Sequence, residues 1–222
     1  MADPDLDPSW VQGLDVSHYQ GTVDWANVAR LGYRFAFVKA SEGTSWTDPE
    51  FNTNWNGVQV AGLLRGAYHY YEPGSDPLEQ AELFLNTVWP HGGQPLLAPG
   101  DLPPVLDIET AGSESAEEVV QGIETWLSRV QQETLRTPIV YTGREFWDSL
   151  GTQQFGAFPL WIAEYGVAAP SSLPAGWQQW RFWQYSETGT VEGIAGDVDL
   201  DVFQGNLLDL KQMAALVSTS GL

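Results

Sequence analysis

No cysteine occurs among the 222 residues. That removes disulfide staples and thiolate metal sites, and it leaves the compartment open. Histidine is nearly as scarce, at His18, His69 and His91, so no metal centre is expected and no cofactor motif stands out. Positive charge is short too: nine Lys and Arg face 29 Asp and Glu, for a formal charge of −20. A surface of that sign repels phosphate backbones, which argues against nucleic-acid partners, and it argues against a polybasic membrane anchor. No apolar run approaches a membrane span. The start, Met1-Ala2-Asp3-Pro4, has neither the basic nor the apolar region of a signal peptide. Fixed-period repeats, low-complexity tracts and long linkers are missing as well.

What is abundant is aromatic surface, with 11 Trp, 8 Tyr and 9 Phe. Core packing accounts for most such residues; the excess offers faces for sugar rings. Short apolar runs alternate with helical patterns, the signature of βα units and a largely parallel sheet. The runs place strands over residues 13–17, 35–40, 65–71, 103–109, 138–142, 159–165, 181–185 and 198–203. Helices are expected over 24–31, 48–61, 76–88, 113–133, 144–150 and 207–217, with a Pro- and Gly-rich loop over 89–104. Asp24 reads as an N-cap and Gly32 as a stop. Little helix is expected between the sixth and eighth strands. The fold class is therefore α/β: an irregular TIM-like (β/α) barrel with eight strands and fewer than eight helices. Residues 1–10 read as an N-terminal tail and 11–218 as a single barrel domain; a monomer is expected.

One stretch carries a chemical signal. Pro103-Pro104-Val105-Leu106-Asp107-Ile108-Glu109 leads an apolar run into two acids. In a strand, side chains i and i+2 share a face at a rise of about 3.3 Å per residue. Asp107 and Glu109 then stand side by side, where burial of unpaired acids is costly. Paired carboxylates in different environments are what glycoside hydrolysis requires. Barrel chemistry gathers at the C-terminal ends of the strands, and Asp15 and Asp199 fall on strands one and eight, neighbours once the barrel closes. Lys39, Glu42, Tyr70, Tyr141, Trp161 and Gln184 are candidates for binding substrate around these four acids. Each has a plainer reading. Asp15 and Asp199 can bridge the barrel seam, Lys39 and Glu42 can form an ordinary ion pair, and Trp161 can be core. Of Tyr68, His69, Tyr70 and Tyr71, alternation turns half outward. Asp201 shares a face with Asp199 and reads as the more peripheral of the two.

Several segments resemble glycoside hydrolase family 25, the lysozyme-type N-acetylmuramidases. They are Gly13-Leu14-Asp15-Val16-Ser17-His18-Tyr19-Gln20-Gly21 with Asp24-Trp25, Phe37-Val38-Lys39-Ala40-Ser41-Glu42-Gly43, Gly66-Ala67-Tyr68-His69-Tyr70 and Val105-Leu106-Asp107-Ile108-Glu109. Trp161-Ile162-Ala163, Trp183-Gln184-Tyr185 and Gly196-Asp197-Val198-Asp199-Leu200-Asp201 follow in the same order, so the resemblance runs from about residue 11 to 204. It implies a flattened, irregular barrel. It also implies cleavage, with retention, of the β-1,4 bond between N-acetylmuramic acid and N-acetylglucosamine in bacterial peptidoglycan. It makes Glu109 the general acid/base, Asp107 the partner that supports the substrate's acetamido group as nucleophile, and Asp15 and Asp199 the rest of an acidic floor. Asp197 and Asp201 depart from it, standing where Asn is common. Neighbouring charges lead us to expect a raised Glu109, with Asp107 kept ionised by donors such as Tyr141 or backbone N–H groups. The resemblance implies action outside the cell or at the wall, by secretion or by release of a phage lysin. A glycan-binding barrel without activity is the alternative, as is an enzyme on another N-acetylated glycan such as chitin. No chitinase-like Asp-x-x-Asp-x-Asp-x-Glu run is present around Pro103, Pro104 and Leu106.

Overall fold

The computed structural model describes residues 4–88 and 100–215. His91, most of the expected 89–104 loop and the end of the expected last helix lie outside the described residues. Among the described residues nine strands form one sheet: β1 (Val11–Val16), β2 (Phe35–Glu42), β3 (Trp46–Thr47), β4 (Leu64–Tyr70), β5 (Val105–Asp107), β6 (Ile139–Gly143), β7 (Leu160–Ala163), β8 (Phe182–Gly189) and β9 (Val198–Phe203). Their order is β1-β9-β8-β7-β6-β5-β4-β2-β3, and a further β1–β2 pairing closes eight of them into a barrel. The two-residue β3 hangs outside the ring, antiparallel to the end of β2. Six α-helices are present among the described residues: α1 (Trp25–Arg30), α2 (Phe51–Val60), α3 (Pro77–Val88), α4 (Ala116–Thr134), α5 (Arg144–Ser149) and α6 (Leu207–Ala214).

One feature differs from the largely parallel sheet expected. Strand β9 runs antiparallel to both its neighbours, β1 and β8. The eight residues separating β8 from β9 are too few for a crossover helix, so a hairpin is the only connection that reaches. Strand β9 therefore enters the barrel at the mouth and leaves at the bottom, where Phe203 pairs with Val11 and with Phe182. There the chain turns into α6, capped by Asn206, whose side chain accepts from the N–H groups of Leu208 and Asp209. Leu210 and Ala214 of α6 belong to the same apolar cluster as the barrel interior. The last helix thus closes the bottom of the barrel instead of lying along its side.

The interior is aromatic. Phe37 stacks on Trp161 at 4.3 Å between ring centroids, and Phe35 meets Phe182 edge-on at 5.4 Å. Two glycines make room for these rings. A Cβ at Gly13 would lie 2.3 Å from the Phe35 ring, and one at Gly66 would lie 2.4 Å from the Phe37 ring. Outside, the strands' other faces pack against the helices, as in Val38, Leu106, Val140 and Ile162 against Phe84, Ile123, Trp126 and Trp147. Helix α4 starts on a reciprocal Ser115–Glu118 capping box. Where helices are missing, between β7 and β8, tryptophans do the covering. Trp177 and Trp180 are buried there, and Trp10, ahead of β1, meets Trp180 edge-on at 5.0 Å. Much of the aromatic excess is explained in this way.

Glycine at 13 and 66 is a packing requirement, since the Phe rings are enclosed and have nowhere to retreat. Gly13→Ala and Gly66→Ala should each destabilise the fold by about 1–3 kcal/mol through overpacking. Denaturant unfolding checks this; an unchanged midpoint in both variants would refute the tight-interior account.

Candidate active site

The strand ends deliver the acids to one cavity of about 190 Å³ at the barrel mouth. Its walls include Asp15, Asp107, Glu109 and Asp199 together with Lys39, Tyr70, Tyr141, Trp161 and Gln184. Nine of the ten residues singled out from the sequence thus meet around it. The tenth, Glu42, lies outside the cavity and holds Lys39, with Nζ 2.5 Å from its Oε2. The Lys39 ammonium also sits over the Tyr70 and Trp46 rings, 4.9 and 5.2 Å from their centroids. Alternation on β4 turns Tyr68 and Tyr70 inward. His69 and Tyr71 are buried in the outer layer, where the His69 ring lies between Ser41 and Gln80. Burial pushes His69 down to about 3, so it stays neutral.

The acids arrive by different routes. Asp15 is near the end of β1, and its register partner on β9 is Asp199. Because β9 is antiparallel, Asp199 reaches the mouth from the start of its strand and not from a C-terminal end, as had been expected. Strand β5 ends at Asp107. The extended course continues one residue further, with the Ile108 N–H donating to the Tyr141 carbonyl, and this presents Glu109 at the rim. Asp107 is buried while Glu109 is exposed.

Asp201 is not peripheral. It has no exposed surface and accepts a hydrogen bond from Trp161 Nε1 at 2.8 Å. It lies below Asp15 and Asp199 because the two-residue period of β9 carries it down into the barrel, where it touches Asp15. Trp161 is itself buried, stacked on Phe37, so its indole forms the floor and not an exposed platform.

A chain of hydrogen bonds ties these groups together. Gln184 Nε2 donates to Asp15 Oδ2 at 2.8 Å, while Gln184 Oε1 accepts from the Tyr141 hydroxyl at 2.8 Å and from the Tyr165 hydroxyl at 2.5 Å. The Tyr141 hydroxyl also lies within hydrogen-bond reach of the Glu109 carboxylate. It carries a single proton, so it serves either Gln184 or Glu109 at one time.

Burial raises every acid of the cluster above the usual carboxylate range. Asp15 is pushed up by burial and then by the Asp201 charge. Asp199 is pushed up to about 9 by burial and then by Asp15 and Glu187. Glu109 is raised by partial loss of water around its carboxyl, offset by Tyr141 and Lys39. Asp107 is raised well above the normal range by burial and by the Glu109 charge. Its Oδ1 is buried without a hydrogen-bond partner among the described residues. This corrects the expected division: the Tyr141 hydroxyl serves Gln184 or Glu109, not Asp107, and burial outweighs the Lys39 charge that favours ionised Asp107.

Sequence reasoning missed Ser17, Tyr19 and Gln20, which also line the cavity, and Tyr165, which shares Gln184. A signal for the first three was present: Ser17 and Gln20 form a reciprocal capping box on a 3-10 turn, His18–Gln20. Among the described residues no group of three or more His, Cys, Asp or Glu is arranged to hold a metal ion.

Comparison with known proteins bears on this geometry. The sequence model of glycosyl hydrolases family 25 matches residues 14–194. Lysozyme M1 of Streptomyces globisporus is 38% identical over 218 residues, covering 94% of this chain and 72% of that protein. The N,O-diacetylmuramidase of Chalaropsis sp is 36% identical over 210 residues, covering 85% of this chain and 96% of that protein. The crystal structure of the bacterial lysozyme from Streptomyces coelicolor superimposes with a TM-score of 0.85 at 38% identity, covering 94% of this chain and 98% of that one.

The raised acids make a stability prediction with a definite sign. A carboxyl whose folded pKa lies above its unfolded value binds its proton more tightly when folded, so its contribution is lost as pH rises through the folded pKa. His69 acts in the opposite sense, but only below about pH 6.5. The melting temperature should therefore fall between pH 7 and 9, and Asp199→Asn should flatten that slope. A melting temperature constant across this window would show that the acids are not held protonated.

Proposed function

Because the chain belongs to the glycosyl hydrolases family 25, we propose that Glu109 and Asp107 carry out its reaction as acid/base and acetamido-orienting group respectively. The chain is a peptidoglycan muramidase: it cleaves the β-1,4 bond between N-acetylmuramic acid and N-acetylglucosamine, and its target is the bacterial cell wall. Retention of configuration, the roles of individual residues and the route by which the enzyme meets the wall, by secretion or by phage-driven release, belong to our reading.

The observation that carries the residue roles is the contrast between two neighbouring carboxyls. Glu109 stands at the rim, within reach of the Tyr141 hydroxyl. Asp107 is buried beside it with one oxygen unpartnered. A glycan lying in the mouth brings an acetamido N–H toward that oxygen. Donation to Asp107 Oδ1 favours the ionised form of Asp107. The new charge on Asp107, next to Glu109, then favours the protonated form of Glu109. Substrate binding so moves the proton to the group that uses it.

Glu109 donates this proton to the glycosidic oxygen as the bond from that oxygen to C1 breaks. The acetamido carbonyl oxygen of the same sugar closes on C1, giving an oxazolinium ion whose N–H is held by ionised Asp107. Positive charge on the ring is stabilised by ionised Asp107 and by the carboxyl oxygen dipoles of Asp15 and Asp199 in a site of low dielectric. Glu109, now ionised, takes a proton from a water that attacks C1 from the face the leaving group vacated, and the two displacements together retain configuration. Tyr141 can turn its single proton from Gln184 to Glu109 while that carboxylate is charged. Lys39, held over Tyr70, keeps one positive charge near the pair.

Glu109→Gln should abolish release of reducing ends from purified cell walls while circular dichroism stays unchanged. Asp107→Asn should lower turnover by about two orders of magnitude or more, on the scale of losing one group that stabilises transition-state charge. New reducing ends should appear on muramic acid. Full activity of the Glu109 variant, a loss of only twofold at Asp107, or reducing ends on glucosamine would each overturn the corresponding assignment.

A further inference from the structure

Outside the catalytic cavity a second hollow, of about 360 Å³, opens between the 3-10 turn after β1 and the β2–β3 hairpin. Tyr19 lines both hollows, so they adjoin. Two large aromatic side chains are left exposed there: Tyr19 at 81% and Trp46 at 36%. Neither is loose. The Tyr19 ring lies 4.1 Å from the His18 ring, and the Trp46 ring meets the same His18 edge-on at 5.1 Å. Asp48 fastens the two segments together. One of its carboxylate oxygens faces both the backbone N–H and the Nδ1 of His18, at 2.9 and 3.0 Å. Its backbone N–H donates to the Ala40 carbonyl on β2.

We propose that Tyr19 and Trp46 form a stacking ledge that binds a further stretch of the same glycan strand, beyond the sugars held over the carboxylates. This rests on the muramidase reading above. The axial C–H face of a pyranose is matched by the negative face of an aromatic ring. Rings already fixed in place lose little freedom on binding. The charge around the hollow selects among occupants. Glu42 is paired with Lys39, while Glu72 lies beside Gly43 on the same rim. An anionic peptide stem meets no free cation there among the described residues. An uncharged N-acetylated sugar meets two aromatic faces and the hydroxyls of Thr44 and Ser45.

The ledge predicts affinity that depends on strand length. Peptide-free glycan strands of four and eight sugars, their lactyl carboxyls capped as amides, are titrated into Glu109→Gln protein, after a check that this protein does not cut them. The longer strand should bind about tenfold more tightly, the yield expected of two modest aromatic contacts. Trp46→Ala and Tyr19→Ala, each added to that background, should bring the ratio below about threefold, and Trp46→Phe should restore most of it. The ledge is overturned if the two lengths bind alike, if the alanine variants keep the tenfold preference, or if they weaken the short strand as much as the long one. Cutting by the Glu109 variant would instead count against the catalytic assignment, so the two readings fail separately; the ledge is then read from the ratio of KM values for the two lengths in the wild-type enzyme and the Trp46 variants.

Discussion

Everything at the mouth depends on the withdrawal of carboxylates from water. Five acids, Asp15, Asp107, Glu109, Asp199 and Asp201, gather above an aromatic interior that has no solvent to offer them. Charge repulsion and lost hydration push in the same direction, toward holding protons. A group built to give a proton to a glycosidic oxygen needs that environment. The rest of the fold supplies it: rings fill the barrel below the acids, Trp161 gives its N–H to Asp201, and Gln184 gives an amide hydrogen to Asp15.

The antiparallel strand β9 is what makes the crowding possible. A parallel last strand would present one residue at the mouth from its C-terminal end. Entering from the top, β9 instead places Asp199 beside Asp15 and sends Asp201 below them. The Asp at 201 is equivalent in shape to an Asn but adds a titrating group to the stack. Hydrogen bonding then organises the cluster through neutral side chains. Gln184 joins β8 to β1 through Asp15 and to β6 through Tyr141, so three strands share one amide.

How much of this was legible in the sequence differs by residue. The closed eight-strand barrel was readable because its strands are buried on both faces and appear as unbroken apolar runs. Asp107 and Glu109 stood out because acids at the end of such a run have no packing reason to be there. The direction of β9 was harder. Val198 to Phe203 looks the same read in either sense, and only the shortness of the preceding link carried the information. The depth of Asp201 followed from that direction. Ionisation was the least legible, because it depends on which hydroxyl faces which carboxylate. Tyr141 lines the mouth, yet its partner across the barrel is Gln184, a contact 43 positions away. Tyr19 and Trp46 were hidden for another reason: a three-residue turn and a two-residue strand leave almost no periodic trace.

The position of α6 has a consequence for protons. Leu210 and Ala214 close the barrel from beneath, against the same apolar cluster that fills it. Among the described residues the acids then open to bulk water at the mouth, and the substrate lies across that opening. A seated glycan narrows that opening, so the inner carboxyls exchange protons with the buffer more slowly while substrate is bound, and the pH of the medium acts chiefly on the open enzyme.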